Sequence, residues 1–228
     1  MKLIGSLAGL LLFGISSCQV RIPKRELGFI YNGGNANAPV KVDAFLDLLC
    51  PDSKRAYGVI RQVVDHYGPH VVQLRVHIFP LPYHRNAFMA GKGAFAVDKL
   101  TGGSRTFDWI HDVFDQMSMF SNGFTHGETG ARVLTDLGTL AHGLGIQTND
   151  FENLMTQNEE LELDARLAWK YGCSRAIHST PMVMINDVLV NVQHPESLTY
   201  DQWVAIIDDL LKPRPNTGIK IIRLRKEN

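Results

Sequence analysis

The chain has 228 residues, in which 23 lysines and arginines balance 23 aspartates and glutamates. This zero net charge argues against nucleic acid or an anionic membrane surface as the main partner, because both attract a basic excess. The three cysteines are too few for a disulfide-built scaffold or for a zinc site of four thiolates. The sequence therefore raises the question of what each thiol does.

The first 18 residues have the layout of a secretory signal peptide. Lys2 is followed by an apolar run over 3–15 and by the small residues Ser16, Ser17 and Cys18. The run is shorter than the ~20 residues that a membrane span needs. We expect residues 1–18 to be cleaved, and the mature chain, without a membrane span, to be extracellular or periplasmic.

Two alternatives to a cleaved signal remain open. Arg21, Lys24 and Arg25 follow the apolar run and would suit an uncleaved anchor. The segment Ile-Ser-Ser-Cys at 15–18 resembles a bacterial lipoprotein box. If the protein is bacterial, Cys18 would then be the lipidated first residue of the mature chain.

Hydrophobic periodicity predicts the order strand–helix–strand, a helical block, then hairpin–helix. Strands are expected over 40–49 and 71–79, with a helix from Pro51 to the Gly68-Pro69 stop between them. Amphipathic helices are expected near 87–100, 105–120, 129–142, 150–157 and 159–173. A hairpin over 182–192 turns at Asn186-Asp187, Thr199 caps a helix through 211, and 219–224 is a candidate for an added strand.

This order predicts an α/β fold in which a βαβ unit and a ββα unit share one sheet. The α/β domain would comprise 28–84 and 175–211. Residues 85–174 would form a helical insertion between its two parts, and 212–228 a C-terminal extension.

Cys50 is the candidate nucleophile. It lies between a buried strand and the first turn of a helix, in the segment Leu-Leu-Cys-Pro-Asp-Ser at 48–53. The free N–H groups of a first helical turn favour an anion, which stabilises a thiolate there. Asp52 acts in the opposite direction, because a nearby carboxylate disfavours a second negative charge.

The chain resembles the thioredoxin superfamily, and specifically its DsbA-like branch. The resemblance covers about 39–211 and is carried by Cys50-Pro51, the helical insertion, Leu-Pro-Tyr-His-Arg-Asn-Ala at 81–87, and Ser-Thr-Pro at 179–181. It implies a thioredoxin-like fold with an inserted helical domain and Cys50 as the catalytic nucleophile. It also implies substrate binding by Pro51, Thr180 and Pro181, with Pro181 in the cis form.

Ser53 departs from the family pattern, because it stands where the second cysteine of C-x-x-C would be. A C-x-x-S site can form a mixed disulfide but cannot resolve it from within the motif. Cys173 is a candidate resolving or disulfide partner for Cys50. The alternative is that Cys173 is a lone packed thiol.

Three functions follow from this pattern. The first is monothiol, DsbA-like thiol–disulfide chemistry on protein thiols or disulfides. The second is a non-catalytic binding or chaperone-like module, and the third a glutathione-dependent transferase or isomerase that resembles the kappa class. No metal site is expected from the histidines 66, 70, 77 and 84, and glutathione is the only cofactor candidate. The sequence does not indicate an oligomeric state.

Overall fold

A computed structural model of the chain describes residues 22–23, 26–190 and 194–213. The predicted signal peptide with Cys18, the candidate strand at 219–224 and most of the predicted C-terminal extension lie outside these residues.

A mixed five-stranded sheet forms the centre of the molecule, in the order β1-β3-β2-β4-β5. Strands β2 and β3 are parallel, whereas the pairs β1–β3, β2–β4 and β4–β5 are antiparallel. The strands are β1 (Phe29–Ile30), β2 (Val40–Leu46), β3 (Val72–Ile78), β4 (Met182–Ile185) and β5 (Val188–Leu189). The helices are α1 (Pro51–Tyr67), α2 (Ala87–Thr101), α3 (Thr106–Asp115), α4 (Gly130–Gly143), α5 (Thr148–Gln157), α6 (Glu159–Ser174) and α7 (Tyr200–Leu211).

The sheet packs helices on both faces because side chains of a strand alternate between its two sides. Ala44 and Leu46 of β2 join the large core cluster, which includes Ile60 and Val64 of α1. Phe45, between them in sequence, belongs to a second cluster that the Tyr171 ring of α6 packs against. Helices α1 and α6 therefore cover opposite faces of the sheet.

The inserted helices α2–α6 follow β3 and precede β4, in the place that the sequence predicted. The predicted boundary at residue 174 stays a prediction. Helix α6 contacts both parts of the molecule. Near its start, Glu162 forms a 2.7 Å ion pair with Lys92 of α2, and near its end Tyr171 packs against the sheet.

The structure corrects two predicted elements and adds one strand. The strand predicted over 40–49 ends at Leu46, because the Asp47 carboxylate accepts the Leu49 N–H and folds the backbone into a local turn. The helix predicted over 105–120 ends at Asp115 and is followed by a short 3₁₀ turn, Met117–Phe120. Strand β1 was not predicted, since its two residues form no periodic pattern.

Candidate active site

Cys50 is the N-cap residue of α1, directly after the turn that ends β2. Pro51 occupies the first helical turn and is exposed, whereas Cys50 is only 6% exposed. Proline fits there because the N–H that it lacks has no partner within the helix. The sulfur consequently lies at the end of α1 where backbone N–H groups are unpaired and where an anion is favoured.

Thr180, 130 residues later in the sequence, contacts Cys50. The Cys50 thiol donates a hydrogen bond to the Thr180 carbonyl oxygen at 3.4 Å. Strand register explains the contact, because Phe45 of β2 lies opposite Met182 of antiparallel β4. Residues that follow Phe45 are thereby brought beside residues that precede Met182. The peptide bond between Thr180 and Pro181 is cis, and Pro181 is buried.

Ser53 is fully buried and has a structural partner. Its hydroxyl oxygen accepts the backbone N–H of Asp47 at 3.3 Å. The residue at the place of the second cysteine therefore ties the first turn of α1 to the turn that follows β2. Serine offers no thiol for this site to resolve a mixed disulfide.

Asp47 organises the two loops beneath the site. Its carboxylate is fully buried and accepts hydrogen bonds from the N–H of Leu49 at 2.8 Å and the N–H of Leu81 at 2.9 Å. The His84 ring nitrogen Nδ1 lies 2.7 Å from the same carboxylate. A buried carboxylate with three such partners fixes the loop after β3 against the loop that carries Cys50.

Tyr83 brings an exposed aromatic ring to the rim of the site. Desolvation, followed by the charges of Cys50 and Asp47, raises the pKa of the Tyr83 phenol. Its ring contacts the His84 ring edge-on, with the centroids 4.9 Å apart, and so lies beside the loop that Asp47 holds. Sequence reasoning did not assign Asp47, Tyr83 or His84 to the site. The signal available for Asp47 was an acidic residue within an apolar run, directly before the cysteine.

Asp52 is less unfavourable to a Cys50 thiolate than the sequence suggested. Its carboxylate pairs with Arg55 one turn later, at 2.9 Å, and both side chains are about half exposed. The guanidinium compensates part of the negative charge that the sequence placed beside Cys50. Solvent screens the remainder.

Cys173 does not form a disulfide with Cys50 in the structure. Both cysteines are free in the structure, with Cys50 buried and Cys173 exposed. Cys173 lies in the last turn of α6, on the face of the sheet opposite α1. Just beyond it Arg175 pairs with Asp187 at 2.7 Å, at the end of β4 remote from Thr180. The exposure of Cys173 does not fit the alternative of a packed thiol, and its role as a partner of Cys50 stays a prediction.

A groove of about 420 Å³ adjoins the cis proline. Its walls come from the first turn of α1, the strand β4 and the short turn before α7. The lining residues include Asp52, His178, Thr180, Pro181, His194 and Glu196. An extended peptide that entered this groove would pass the free edge of the Thr180–Pro181 segment beside Cys50.

The described part of the chain lacks two further kinds of feature. It contains no group of three or more His, Cys, Asp or Glu side chains arranged to hold a metal ion. None of its helices is long and apolar enough to cross a membrane.

Comparison with solved structures identifies the fold. The structure superposes on DsbA2 of Pseudomonas aeruginosa with a TM-score of 0.61 and 21% identity, covering 80% of this chain and 93% of that one. For the thiol-disulfide exchange protein alpha-DsbA2 of Wolbachia pipientis the TM-score is 0.60 at 19% identity, covering 80% and 87%. For BdbD of Bacillus subtilis it is 0.61 at 17% identity, covering 82% and 94%. The predicted thioredoxin-like fold with DsbA-like helical insertion is confirmed.

Sequence comparison gives the family. No curated protein matches the chain significantly. The family model Thioredoxin_4, described as thioredoxin, matches residues 30–209, which is well over half of the chain and includes both Cys50 and Pro181. The chain therefore belongs to the thioredoxin family.

Proposed function

We propose that the protein is a monothiol thiol–disulfide exchange protein in which Cys50 is the nucleophile. The observation that carries the proposal is the contact of Cys50 with the Thr180 carbonyl, beside a cis proline and at the N-terminus of α1. The resemblance in fold to a thiol-disulfide exchange protein supports the same chemistry. Protein disulfides and glutathionylated protein thiols are the proposed substrates.

The contact with Thr180 suggests how the site changes during reaction. A carbonyl oxygen accepts a hydrogen bond from the thiol but not from the thiolate. Loss of the proton breaks the contact and leaves the Thr180 carbonyl free for a backbone N–H of an extended substrate chain. Pro51 and Pro181 would flank that chain, on the exposed and buried sides respectively.

The proposed exchange needs no external oxidant, because one S–S bond forms as another breaks. The Cys50 thiolate attacks one sulfur of the substrate disulfide, and a new S–S bond joins the two atoms. The original S–S bond breaks, and the other sulfur leaves as a thiolate that takes up a proton. Because Ser53 cannot attack the adduct, a second thiol such as glutathione must attack it and release Cys50.

The test is capture of the adduct. The mature protein is incubated with a glutathionylated peptide, quenched in acid and analysed by mass spectrometry. We expect an adduct on Cys50 that is absent from Cys50→Ala and unchanged in the matched variant Cys173→Ala. An adduct confined to Cys173, or none on either cysteine, would contradict the proposal.

Three further measurements distinguish the other candidate functions. A non-catalytic binding module is favoured by the low exposure of Cys50, and it predicts that Cys50→Ala still binds an unfolded peptide with unchanged affinity. A glutathione-dependent enzyme predicts thermal stabilisation by glutathione alone. A Cys50–Cys173 disulfide predicts the loss of two thiols when the oxidised protein is counted under denaturing conditions.

We further propose that the protein is exported and works in an extracellular or periplasmic compartment. The segment 1–18 supports this by its composition. N-terminal mass spectrometry of the mature protein distinguishes a cleaved signal from an uncleaved anchor. In a bacterial host it also detects a lipid on Cys18.

A further inference from the structure

A charged cavity of about 700 Å³ lies on the face of the sheet that α6 covers. It is separate from the Cys50 site, because α1 packs on the opposite face. Its floor is formed by β2 and β3, where Asp43 lies opposite Arg75 in the strand register. The last turns of α6 and the segment that contains Glu26 and Leu27 form its walls.

The described residues of this cavity carry more positive than negative charge. Four cationic side chains line it, namely Lys41, Arg75, Lys170 and Arg175. Three carboxylates oppose them, namely Glu26, Asp43 and Asp187. Among the described residues the surplus is one positive charge, which favours an anionic ligand.

The two arginines are held in place by carboxylates but keep buried donors unpaired. Arg75 lies 2.8 Å from Glu26 and 3.6 Å from Asp43, and Arg175 lies 2.7 Å from Asp187. The Arg75 atom that faces Asp43 is Nε, and the Nε atoms of both arginines are buried without a hydrogen bond among the described residues. Both guanidinium groups are thus positioned by carboxylates at the cavity.

The two lysines are the groups whose charge is not compensated. Neither Lys41 nor Lys170 forms an ion pair with a carboxylate of the described chain. Both line the cavity, Lys41 from β2 and Lys170 from the last turns of α6. They supply the charge that an incoming anion would meet first.

The remainder of the cavity wall is apolar. Ile22, Pro23, Leu27 and Leu167 line it together with the ring of Tyr171. A volume of about 700 Å³ also exceeds what a single carboxylate or phosphate group fills and falls in the range of small-molecule sites. The ligand therefore needs an apolar body in addition to its charge.

We infer that this cavity binds a small organic monocarboxylate, with the carboxylate on the Lys41, Lys170 and arginine side and the apolar body against Leu27, Leu167 and Tyr171. Inorganic phosphate shares the charge but lacks the apolar body. Neutral amides share the body but lack the charge. These two differences define the test.

The experiment is calorimetric titration of the mature protein with 4-phenylbutyrate, 4-phenylbutyramide and inorganic phosphate. We expect saturable binding of 4-phenylbutyrate alone. Lys170→Gln, an exposed position, should weaken it about fivefold, and Lys41→Gln should do the same from the other wall. Lys212→Gln, at the exposed end of α7, should leave it unchanged.

Alkylation of Cys50 in the Cys173→Ala variant provides the control for site identity, because the exposed Cys173 lies beside cavity residues of α6 and would otherwise be alkylated as well. The cavity lies on the other face of the sheet, so the alkylated protein should bind 4-phenylbutyrate with unchanged affinity. Equal binding of the amide, no saturable heat with the carboxylate, or unchanged affinity in both lysine variants would overturn the inference. So would loss of binding on alkylation.

Discussion

Asp47 and His84 are 37 residues apart in sequence, and a hydrogen bond of 2.7 Å joins the Asp47 carboxylate to the His84 ring. The same carboxylate accepts the backbone N–H groups of Leu49 and Leu81. One buried side chain thus connects the turn that carries Cys50 with the loop after β3. The geometry at Cys50 depends on this connection.

Replacement of Asp47 should therefore destabilise the protein. Asp47→Ala leaves the Leu49 and Leu81 N–H groups buried without acceptors, and we expect a loss of about 3 kcal/mol in the free energy of unfolding. Asp47→Asn keeps one carbonyl oxygen as acceptor and should lose about half as much. Urea unfolding followed by circular dichroism measures both.

The matched control for Asp47 is His84→Ala. It removes the ring but leaves the carboxylate bound to both backbone N–H groups, so its cost should be smaller, about 1 kcal/mol. A loss in His84→Ala that equals or exceeds the loss in Asp47→Ala would mean that the histidine, rather than the backbone contacts, holds the two loops together.

Ser53→Cys should convert the site to a dithiol. Ser53 is fully buried in the first turn of α1, at the family position of the second cysteine. We expect the variant to lose two hydrogens by mass under mild oxidation and to release mixed disulfides without added glutathione. The measurement is the half-life of the Cys50 adduct after the substrate is removed.

Ser53→Ala is the control, because it removes the hydroxyl that accepts the Asp47 N–H but adds no thiol. It should keep the long-lived adduct of the natural protein and cost about 1 kcal/mol of stability. If Ser53→Ala shortened the adduct as much as Ser53→Cys, altered loop structure rather than a resolving thiol would explain the change.

His77 should make stability depend on pH. Burial lowers the pKa of the His77 ring below its ordinary value of 6.5, although the hydrogen bond to Asp43 acts in the opposite direction. Below about pH 6.5 the unfolded chain binds a proton at His77 that the folded chain does not yet bind. The free energy of unfolding should therefore fall from about pH 6.5 downwards, until the lowered pKa of the folded state is reached.

The contribution of His77 is measured by comparing urea unfolding near pH 7.5 and near pH 5.5. His77→Gln keeps a donor for Asp43 and should flatten the difference by up to about 1.4 kcal/mol per pH unit. His178→Gln, at an exposed position, should leave it unchanged. A variant His77→Gln with the full pH dependence would show that other groups cause it.

The sequence predicted elements whose signals are local. The cap at Thr199 is present as a full capping box with Gln202, and the hairpin turns at Asn186 and Asp187 with positive φ, as short polar side chains allow. Helix periodicity located α1 and α6 to within one or two residues. Such signals depend only on residues that are close in the chain.

What the sequence could not predict depends on contacts between distant segments. Asp47 and His84 show no shared pattern, and their contact exists only because β2 and β3 end side by side. The state of Cys173 depends on distant contacts in the same way, because the sequence left open whether it pairs with Cys50, and both thiols are free in the structure.

Alanine substitutions at two glycines test how closely the inserted helices pack. Gly93 of α2 is buried against the Trp109 ring of α3, and a Cβ added there would overlap the ring. A Cβ added to Gly58 of α1 would meet no atom within 4 Å. Gly93→Ala should therefore cost about 1–3 kcal/mol, whereas Gly58→Ala should gain about 0.5–1 kcal/mol from helix propensity.

The two alanine variants share the same chemical change, so helix propensity cancels in their difference. Thermal unfolding and tryptophan fluorescence of both variants should report an altered indole environment only in Gly93→Ala, whose substitution is the one beside a tryptophan ring. The indole N–H donates to the Ala90 carbonyl at 3.1 Å, so displacement of the ring also breaks a buried hydrogen bond. Stabilisation by Gly93→Ala would mean that α2 and α3 separate easily and that their contact contributes little to the fold.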